Sequence, residues 1–172
     1  MLKPLRIVAI VLSLIVCFGH TDLSASESKT IFLVRHAEKA TDGSKNPHLT
    51  SLGQKRAAHI ASLLEQQNIQ SIFSTDYHRT QETAKPLANA LKQEVKSYNP
   101  RDLQAFADEL KLLKHNSLVV GHSNTTPQLV RFLGGNSHGE IDESDYNRLY
   151  KLIIAGDSVK TELTMIRVKD FE

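Results

Sequence analysis

The stretch IFLVRHAE, residues 31–38, decides the fold of this chain, because a short apolar run ends there in an arginine and a histidine. Such a run indicates a buried strand, with Arg35 and His36 at its carboxyl end. A neutral imidazole can attack phosphorus, and the planar guanidinium beside it can hold phosphoryl oxygens. These residue types indicate phosphoryl transfer through a phosphohistidine, although an isolated Arg-His pair is more often structural or solvated.

Two more polar motifs follow short apolar segments further along the chain. The residues STDYHRT, 74–80, come directly after Ile72-Phe73, and GHSN, 121–124, comes after LVV, 118–120. Since ligands of an open α/β sheet bind at the carboxyl ends of its strands, three such junctions can meet in one crevice. Together they supply two histidines and two arginines, which suit a dianion. The alternation of short strands and amphipathic helices predicts a layered α/β domain.

In this order the three motifs resemble those of the histidine phosphatase superfamily, also called phosphoglycerate mutase-like, over residues 30–133. The resemblance implies an α/β fold with three α/β/α layers and a mostly parallel central sheet. It implies that His36 is the nucleophile that becomes phosphorylated. It also implies that Arg35 and Arg79 grip the phosphoryl oxygens, and that His122 donates hydrogen bonds to the same group. Without the other motifs, a histidine at position 122 would be read as a hydrogen-bonded core residue.

The residues SNTTP, 123–127, suit the start of a helix beside the predicted site. They supply capping side chains and a proline that fits a first helical turn. Backbone N–H groups should therefore face the pocket, with Ser123 among the phosphate-binding residues. Fixed donors stabilise the charge that develops during transfer, so loss of Arg35 or Arg79 should lower turnover by about 10²–10³.

The proton donor for the leaving group stays open between two carboxylates. In the resembled family a carboxylate after the third strand often serves as general acid. The corresponding stretch is YNPRD, 98–102, which makes Asp102 the first candidate. Glu38 is the second, because its spacing from His36 keeps it near the pocket. Asp102 equally suits the N-terminus of the helix that follows, and Glu38 equally suits the surface.

Residues 1–25 have the pattern of a secretory signal peptide. Met1–Arg6 carries two cations, Ile7–Phe18 is almost wholly apolar, and small polar residues follow. A membrane anchor is the alternative, but a spanning helix usually needs about 20 apolar residues. A lipoprotein signal at Cys17 fits poorly, because bulky residues precede it. The sequence therefore predicts a periplasmic or secreted histidine phosphatase domain over residues 26–172, with no stable membrane span after cleavage.

Composition argues against several other chemistries. Cys17 is the only cysteine and would leave with the signal, so the exported domain would have no disulfide, catalytic thiolate or cysteine metal ligand. No histidine pair shows the His-Glu-x-x-His spacing of zinc hydrolases, so we expect no metal and no other cofactor. The net charge of +2 is small and the cations are scattered, which argues against nucleic acid as a partner. The oligomeric state stays open.

The length of the chain bears on the choice between mutase and phosphatase. A mutase must keep its phosphorylated intermediate from water, usually with extra loops over the site, and 172 residues leave little length for such a lid. We therefore expect a phosphatase for a small-molecule phosphomonoester or a phosphorylated envelope component. Three alternatives stay open: a non-catalytic module of the same fold that binds phosphorylated ligands, a phosphatase for phosphohistidine in proteins, and an exported metal-binding or structural protein that uses its histidines.

Apolar periodicity predicts the remaining elements. The expected helices cover residues 50–67, the segment after Arg79 with a kink or restart at Pro86, and residues 102–114. The expected strands cover residues 94–97, 117–120, 149–154 and 163–168. The polar loop 39–48 is expected at the pocket rim with His48 solvated, and the loop 134–139 is expected to be a connector.

Overall fold

The computed structural model describes residues 28–172, so the predicted signal peptide of residues 1–25 lies outside the described residues. Strands and helices alternate over most of the described part. The strands are β1 Lys29–Arg35, β2 Ile69–Ser74, β3 Val95–Ser97, β4 Asn116–Gly121, β5 Arg148–Ala155 and β6 Ser158–Met165. The helices are α1 Ser51–Leu64, α2 His78–Leu91, α3 Leu103–Leu112, α4 Thr125–Phe132 and a short 3-10 turn, Val168–Asp170. Within residues 28–172, every helix is too short or too polar to cross a bilayer.

All six strands form one sheet in the order β3-β2-β4-β1-β5-β6. The four strands from β3 to β1 are parallel, whereas β5 and β6 form an antiparallel hairpin along the other edge. The prediction of an α/β fold with a mostly parallel central sheet is thereby confirmed. Because β2, β4 and β1 are neighbours, the three motifs that follow them come out at the same edge of the sheet.

Helices cover both faces of the sheet, which explains why β1 is apolar without interruption. Ile31 and Leu33 pack on one side into a core shared with α3 and α4. Phe32 and Val34 pack on the other side against α1 and α2. Successive side chains of a strand point to opposite faces, so a strand between two helical layers needs apolar residues at every position.

Several predicted boundaries need correction. Helix α1 ends at Leu64 and not at Gln67, and α2 continues through Pro86 without restarting. A proline removes only one hydrogen bond of the helical ladder, and the buried side chains on either side of it hold α2 against the sheet. Strand β6 begins at Ser158, five residues earlier than predicted, because the hairpin turns at Gly156-Asp157 directly after β5.

Two glycines allow the close approaches that shape the end of β1. A Cβ on Gly53, in the first turn of α1, would lie 2.2 Å from the carbonyl oxygen of Glu38. A Cβ on Gly121, at the end of β4, would lie 2.9 Å from both the Tyr98 hydroxyl and Thr125 Oγ1. A larger residue at position 53 would therefore push α1 away from the segment that carries His36, and one at position 121 would displace the side chains of Tyr98 and Thr125.

Candidate active site

The ends of β1, β2 and β4 surround a cavity of about 420 Å³ at the carboxyl edge of the parallel strands. His36, Arg79 and His122 all line this cavity, as the sequence predicts. The remaining lining residues are Lys39, Tyr77, Pro100, Arg101, Ser123, Asn124, Thr125 and Glu143. Three of the wall residues carry positive charge and one carries negative charge, which suits a dianionic ligand.

His36 is held in one tautomer at the base of the cavity. The residue is 3% exposed, and Nδ1 lies 2.8 Å from the carbonyl oxygen of Ala37. A carbonyl oxygen can only accept, so Nδ1 carries the proton and Nε2 keeps its lone pair. Burial lowers the pKa of His36 to about 3, and the positive charges of Arg35 and Arg79 act in the same direction. The imidazole is therefore neutral near pH 7 and can act as a nucleophile.

His122 stands across the cavity from His36. The two ring centroids are 5.6 Å apart and the rings are 69° from parallel. Its Nε2 lies 2.9 Å from Oγ1 of the buried Thr75, while its backbone N–H donates to Thr125 Oγ1 over 2.9 Å. Burial, followed by the charge of Arg79, lowers the pKa of His122 to about 4. This imidazole is also neutral near pH 7, with one N–H to donate.

Arg79 presents an uncommitted guanidinium to the cavity. Its Cζ lies 4.5 Å from the centroid of the Tyr77 ring, and one terminal nitrogen is 3.5 Å from Nδ1 of His122. In the part of the chain that the structure describes, no carboxylate lies within ion-pair distance of it. The charge is thus available for an incoming anion.

Arg35 is placed differently from Arg79. It is 2% exposed and is not among the residues that line the cavity. One terminal nitrogen donates to three backbone carbonyls of the loop before β5, and the other donates to the Glu143 carboxylate over 3.0 Å. We call residues 142–147 the acidic loop. The three carbonyls belong to Asp142, Glu143 and Asp145. Arg35 therefore anchors the acidic loop beside the cavity.

The structure does not bring either predicted proton donor to the cavity wall. Asp102 is exposed and caps α3, where its carboxylate accepts from the Ala105 N–H over 3.3 Å. The Glu38 carboxylate binds the buried Arg56, with its Oε1 2.6 Å from Nη2 and its Oε2 2.9 Å from Nε. Each of the two carboxylates thus has a structural partner away from the cavity.

Glu143 is the one carboxylate that lines the cavity within residues 28–172. Its side chain is 74% exposed, yet it accepts a hydrogen bond from the Ser123 hydroxyl as well as from Arg35. The Ser123 hydrogen bond, together with the charge of Arg35, holds the pKa of Glu143 below its usual range. Sequence reasoning missed Glu143, because only the Arg35 contact brings the acidic loop to the cavity. It also missed Arg101, although this residue adjoins the candidate Asp102.

The predicted capping at the start of α4 also needs correction. The N-cap residue, Asn124, makes no side-chain capping hydrogen bond. Instead, Thr125 Oγ1 accepts from the N–H of His122, three residues earlier. Ser123, Asn124 and Thr125 still line the cavity, so the predicted position of this segment holds while its side-chain bonding differs.

The two buried imidazoles should make stability depend on pH. The unfolded histidines take up protons below about pH 6.5, whereas His36 and His122 stay neutral in the folded state down to about pH 3 and 4. Stability is therefore highest above pH 6.5 and is lost as the pH falls, by about 2 kcal/mol for His36 at pH 5. Urea unfolding between pH 7.5 and 4.5 measures this loss. A His36→Asn variant with the same pH slope as the wild type would contradict the assignment.

Comparison with known proteins agrees with this geometry. The sequence profile of the histidine phosphatase superfamily (branch 1) matches residues 31–100, which include most of β1, all of β2 and α2, and the motifs that follow the two strands. The predicted resemblance to the histidine phosphatase superfamily is thereby confirmed over residues 31–100.

Individual curated proteins are also similar to this chain in sequence. A Yersinia enterocolitica protein named "Probable phosphoglycerate mutase GpmB" is 29% identical over 121 residues, which are 67% of this chain and 54% of that protein. The chain thus spans about half the length of the curated relatives it matches.

Among solved structures, the Entamoeba histolytica phosphoserine phosphatase in complex with 3-phosphoglyceric acid has a TM-score of 0.63 at 14% identity. That likeness covers 81% of this chain and 98% of the other. The protein histidine phosphatase SixA complexed with tungstate has a TM-score of 0.62 at 16% identity, with coverages of 83% and 99%. At these identities the structural likeness concerns the fold.

Proposed function

We propose that this protein is a metal-independent phosphomonoester hydrolase that works through a phosphohistidine on His36. The observation that carries the proposal is the state of His36: its Nδ1 is bound to the Ala37 carbonyl, and its Nε2 lone pair stands in a cavity with positively charged walls. A lone pair in this setting is a nucleophile for phosphorus, and the positive groups favour the phosphoryl dianion.

Binding of the phosphoryl group would rest mainly on Arg79 and His122. The guanidinium of Arg79 can give two parallel hydrogen bonds to phosphoryl oxygens. His122 can give one from the opposite wall once the anion draws Arg79 away, in the tautomer with the proton on Nδ1 and with Nε2 accepting from the Thr75 hydroxyl. Ser123 can donate to the same group once it leaves Glu143, because a hydroxyl has one proton to give. Lys39 and Arg101 add positive charge at the rim. Arg35 would act mainly by holding the acidic loop in place.

The reaction divides into two steps that share one intermediate. In the first, the Nε2 lone pair of His36 forms a bond to phosphorus, the bond from phosphorus to the ester oxygen breaks, and that oxygen takes up a proton. In the second, water attacks phosphorus, the P–N bond breaks with its electron pair returning to Nε2, and the water gives a proton to a base. The products are the alcohol and inorganic phosphate.

Glu143 is suited to carry the proton in both steps. Its low pKa makes it a carboxylate in the free enzyme, as the base for water requires. A bound phosphoryl dianion that takes over the Ser123 hydroxyl would remove the hydrogen bond that contributes most to this low pKa, and its own negative charge would raise the pKa further. The carboxyl group could then be protonated when an alkoxide leaves.

Replacement of Glu143 by glutamine should slow the hydrolysis of phosphate esters with poor leaving groups more than that of esters with good leaving groups. Glu143→Gln keeps one acceptor oxygen for Arg35, and its NH2 can donate to the Ser123 hydroxyl oxygen, but the amide cannot transfer a proton. We expect hydrolysis of an alkyl phosphate to fall by about 10²–10³, without a burst of alcohol. An aryl phosphate should still give a burst of phenol at the wild-type rate, followed by slow turnover, and rapid mixing measures both phases.

The matched control for this variant is Glu140→Gln, because Glu140 is exposed, lies outside the cavity and pairs with Arg131. It should behave as wild type towards both substrates. If Glu143→Gln slowed the first release of alcohol and the first release of phenol equally, or slowed neither, Glu143 would not be the proton carrier.

Hydrolysis is favoured over a mutase reaction because water reaches the cavity. Arg101, Asn124 and Glu143 are exposed wall residues, so a phosphorylated His36 would stand close to solvent. A mutase needs the opposite arrangement, in which the intermediate survives until a second substrate group accepts the phosphoryl unit.

A second candidate function is hydrolysis of phosphohistidine on a protein. An exposed cavity admits a phosphorylated side chain on a large partner, and SixA, named as a protein histidine phosphatase, shares the fold with 99% of its chain covered. A protonated phosphohistidine releases a neutral imidazole, so this reaction would depend less on Glu143 than alkyl phosphate hydrolysis does.

The test is release of inorganic phosphate from an aryl phosphate, an alkyl phosphate and a phosphohistidine peptide, all with EDTA present. The proposal expects turnover together with an acid-labile, alkali-stable phosphoenzyme. Phosphate binding without turnover of any of the three would show a non-catalytic binding module. Turnover of the peptide alone would favour the second candidate.

Export and an envelope substrate are part of the same proposal. The pattern of residues 1–25 supports secretion, and a cell envelope contains phosphorylated sugars and lipids that a cationic cavity can bind. Fractionation followed by mass determination of the mature N-terminus checks this, and a full-length chain in the cytoplasm would contradict it.

A further inference from the structure

Three side chains with metal-binding atoms meet on the outer side of α2. His78 and Glu82 are one helical turn apart on α2, and His48 reaches them from the loop between β1 and α1. One ligand atom from each of the three lies within 4.8 Å of the others. The expectation that His48 is only solvated is wrong, because its Nδ1 contacts the Glu82 carboxylate and its ring stacks on that of His78.

We propose that His48, His78 and Glu82 form a binding site for one divalent transition-metal ion of the Zn²⁺ type. Two imidazoles and a carboxylate are ligands that zinc prefers, and three protein ligands leave a fourth position for water. With both imidazoles neutral, the site carries the single negative charge of Glu82 and attracts a dication.

The geometry requires only side-chain movement to complete the site. In a tetrahedral site with zinc–ligand distances of about 2.0–2.2 Å, ligand atoms lie about 3.4 Å apart. The present rings are 4.3 Å apart and 9° from parallel, so their lone pairs run side by side and do not converge. Both histidines are exposed, and rotation of one ring about its side-chain bonds would direct its lone pair to the ion.

Two hydrogen bonds that involve backbone N–H groups hold the loop that carries His48 against α2. The second carboxylate oxygen of Glu82 accepts from the Leu49 N–H over 2.9 Å, which leaves the first oxygen facing His48. The N–H of His78 donates to the Asn46 side chain over 2.9 Å. The loop is therefore tied to α2 at two points already, and the ligands are partly preorganised.

The site is distinct from the cavity that contains His36. His78 and Glu82 line a separate cavity of about 360 Å³ with Gln81, Lys85 and Val95, and none of these residues lines the first cavity. An ion here would cross-link the 39–49 loop to the first turn of α2. Its effect is on the structure of this region, and the inference does not depend on the phosphatase reaction.

The experiment measures Co²⁺ binding to the full chain, without a histidine tag, by its d–d absorption, followed by displacement with Zn²⁺. We expect one ion per chain at this site. His48→Ala and Glu82→Gln should each weaken Co²⁺ binding by at least about tenfold. Even the loss of a residue that only hydrogen-bonds to a metal ligand lowers metal affinity by about that factor. Glu82→Gln keeps an acceptor for the Leu49 N–H, so a folding defect is not expected.

The control is His138→Asn, since His138 is exposed, lies outside the cluster and has φ +51°, which asparagine tolerates. It should bind Co²⁺ as wild type does. Zn²⁺ at 100 times its dissociation constant should raise the wild-type melting temperature by about 5–10 °C but not that of His48→Ala. Equal affinity in wild type and His48→Ala would overturn the proposal, as would binding lost in His122→Asn and kept in His48→Ala.

Discussion

His36→Asn is expected to lower hydrolysis of every phosphomonoester by at least about 10⁴-fold, because it removes the atom that bonds to phosphorus. The asparagine side-chain nitrogen can still donate to the Ala37 carbonyl, as Nδ1 of His36 does. Nothing in asparagine replaces the lone pair of Nε2. Steady-state phosphate release and trapping of the labelled phosphoenzyme measure the loss.

Binding of inorganic phosphate by His36→Asn distinguishes loss of the nucleophile from loss of the phosphate-binding pocket. The variant should still bind inorganic phosphate, since Arg79 and His122 are unchanged, and calorimetry measures this. His138→Asn serves as a matched control, because it makes the same substitution at an exposed histidine outside the cavity. If His36→Asn kept more than a tenth of the wild-type rate, the proposed phosphohistidine would be wrong.

Arg79→Ala is expected to lower turnover by about 10²–10³ while leaving stability nearly unchanged. The guanidinium faces the cavity without a carboxylate partner among the described residues, so its removal strands no buried ion. Arg79→Lys should recover part of the rate, because an ammonium keeps the charge but lacks the planar fork. Turnover and urea unfolding measured on the same samples test both statements.

Arg35→Ala, unlike Arg79→Ala, is expected to lower stability, and the sequence alone did not suggest this difference. Its hydrogen bonds to three carbonyls and to Glu143 hold the acidic loop, so its loss should lower the free energy of unfolding by about 2–4 kcal/mol as well as the rate. Equal stability of Arg35→Ala and Arg79→Ala would contradict the anchoring role. An unchanged rate in Arg79→Ala would remove Arg79 from the phosphoryl site.

Local pattern was sufficient for most of the fold. The apolar run before Arg35 predicts β1, and its lack of alternation follows from helices on both faces of the sheet. Thr50 and Asp102 cap α1 and α3 at the predicted positions, because capping depends on residues three apart in sequence. The starts and ends that were missed, such as the first residue of β6, depend on pairing with another strand.

The three motifs could be combined from the sequence because each follows a strand of one parallel sheet. The carboxyl ends of such strands share one edge, so the convergence of His36, Arg79 and His122 follows from strand direction together with the adjacency of β2, β4 and β1. The state of His36 could not be predicted in this way. Its neutral form depends on how deeply the ring is buried, and that depth is a property of the packed structure.

Tertiary structure alone decided which charged residues face the cavity. Two arginines that look equivalent in their motifs have different partners, because the acidic loop, more than 100 residues along the chain, reaches Arg35 and not Arg79. Glu38 similarly pairs with the buried Arg56 and does not line the cavity, whereas Glu143 does. Sequence determines residue types, and the alternation of strands with helices indicates a mostly parallel sheet. The choice of partner for a charge depends on which distant groups packing brings within hydrogen-bond distance.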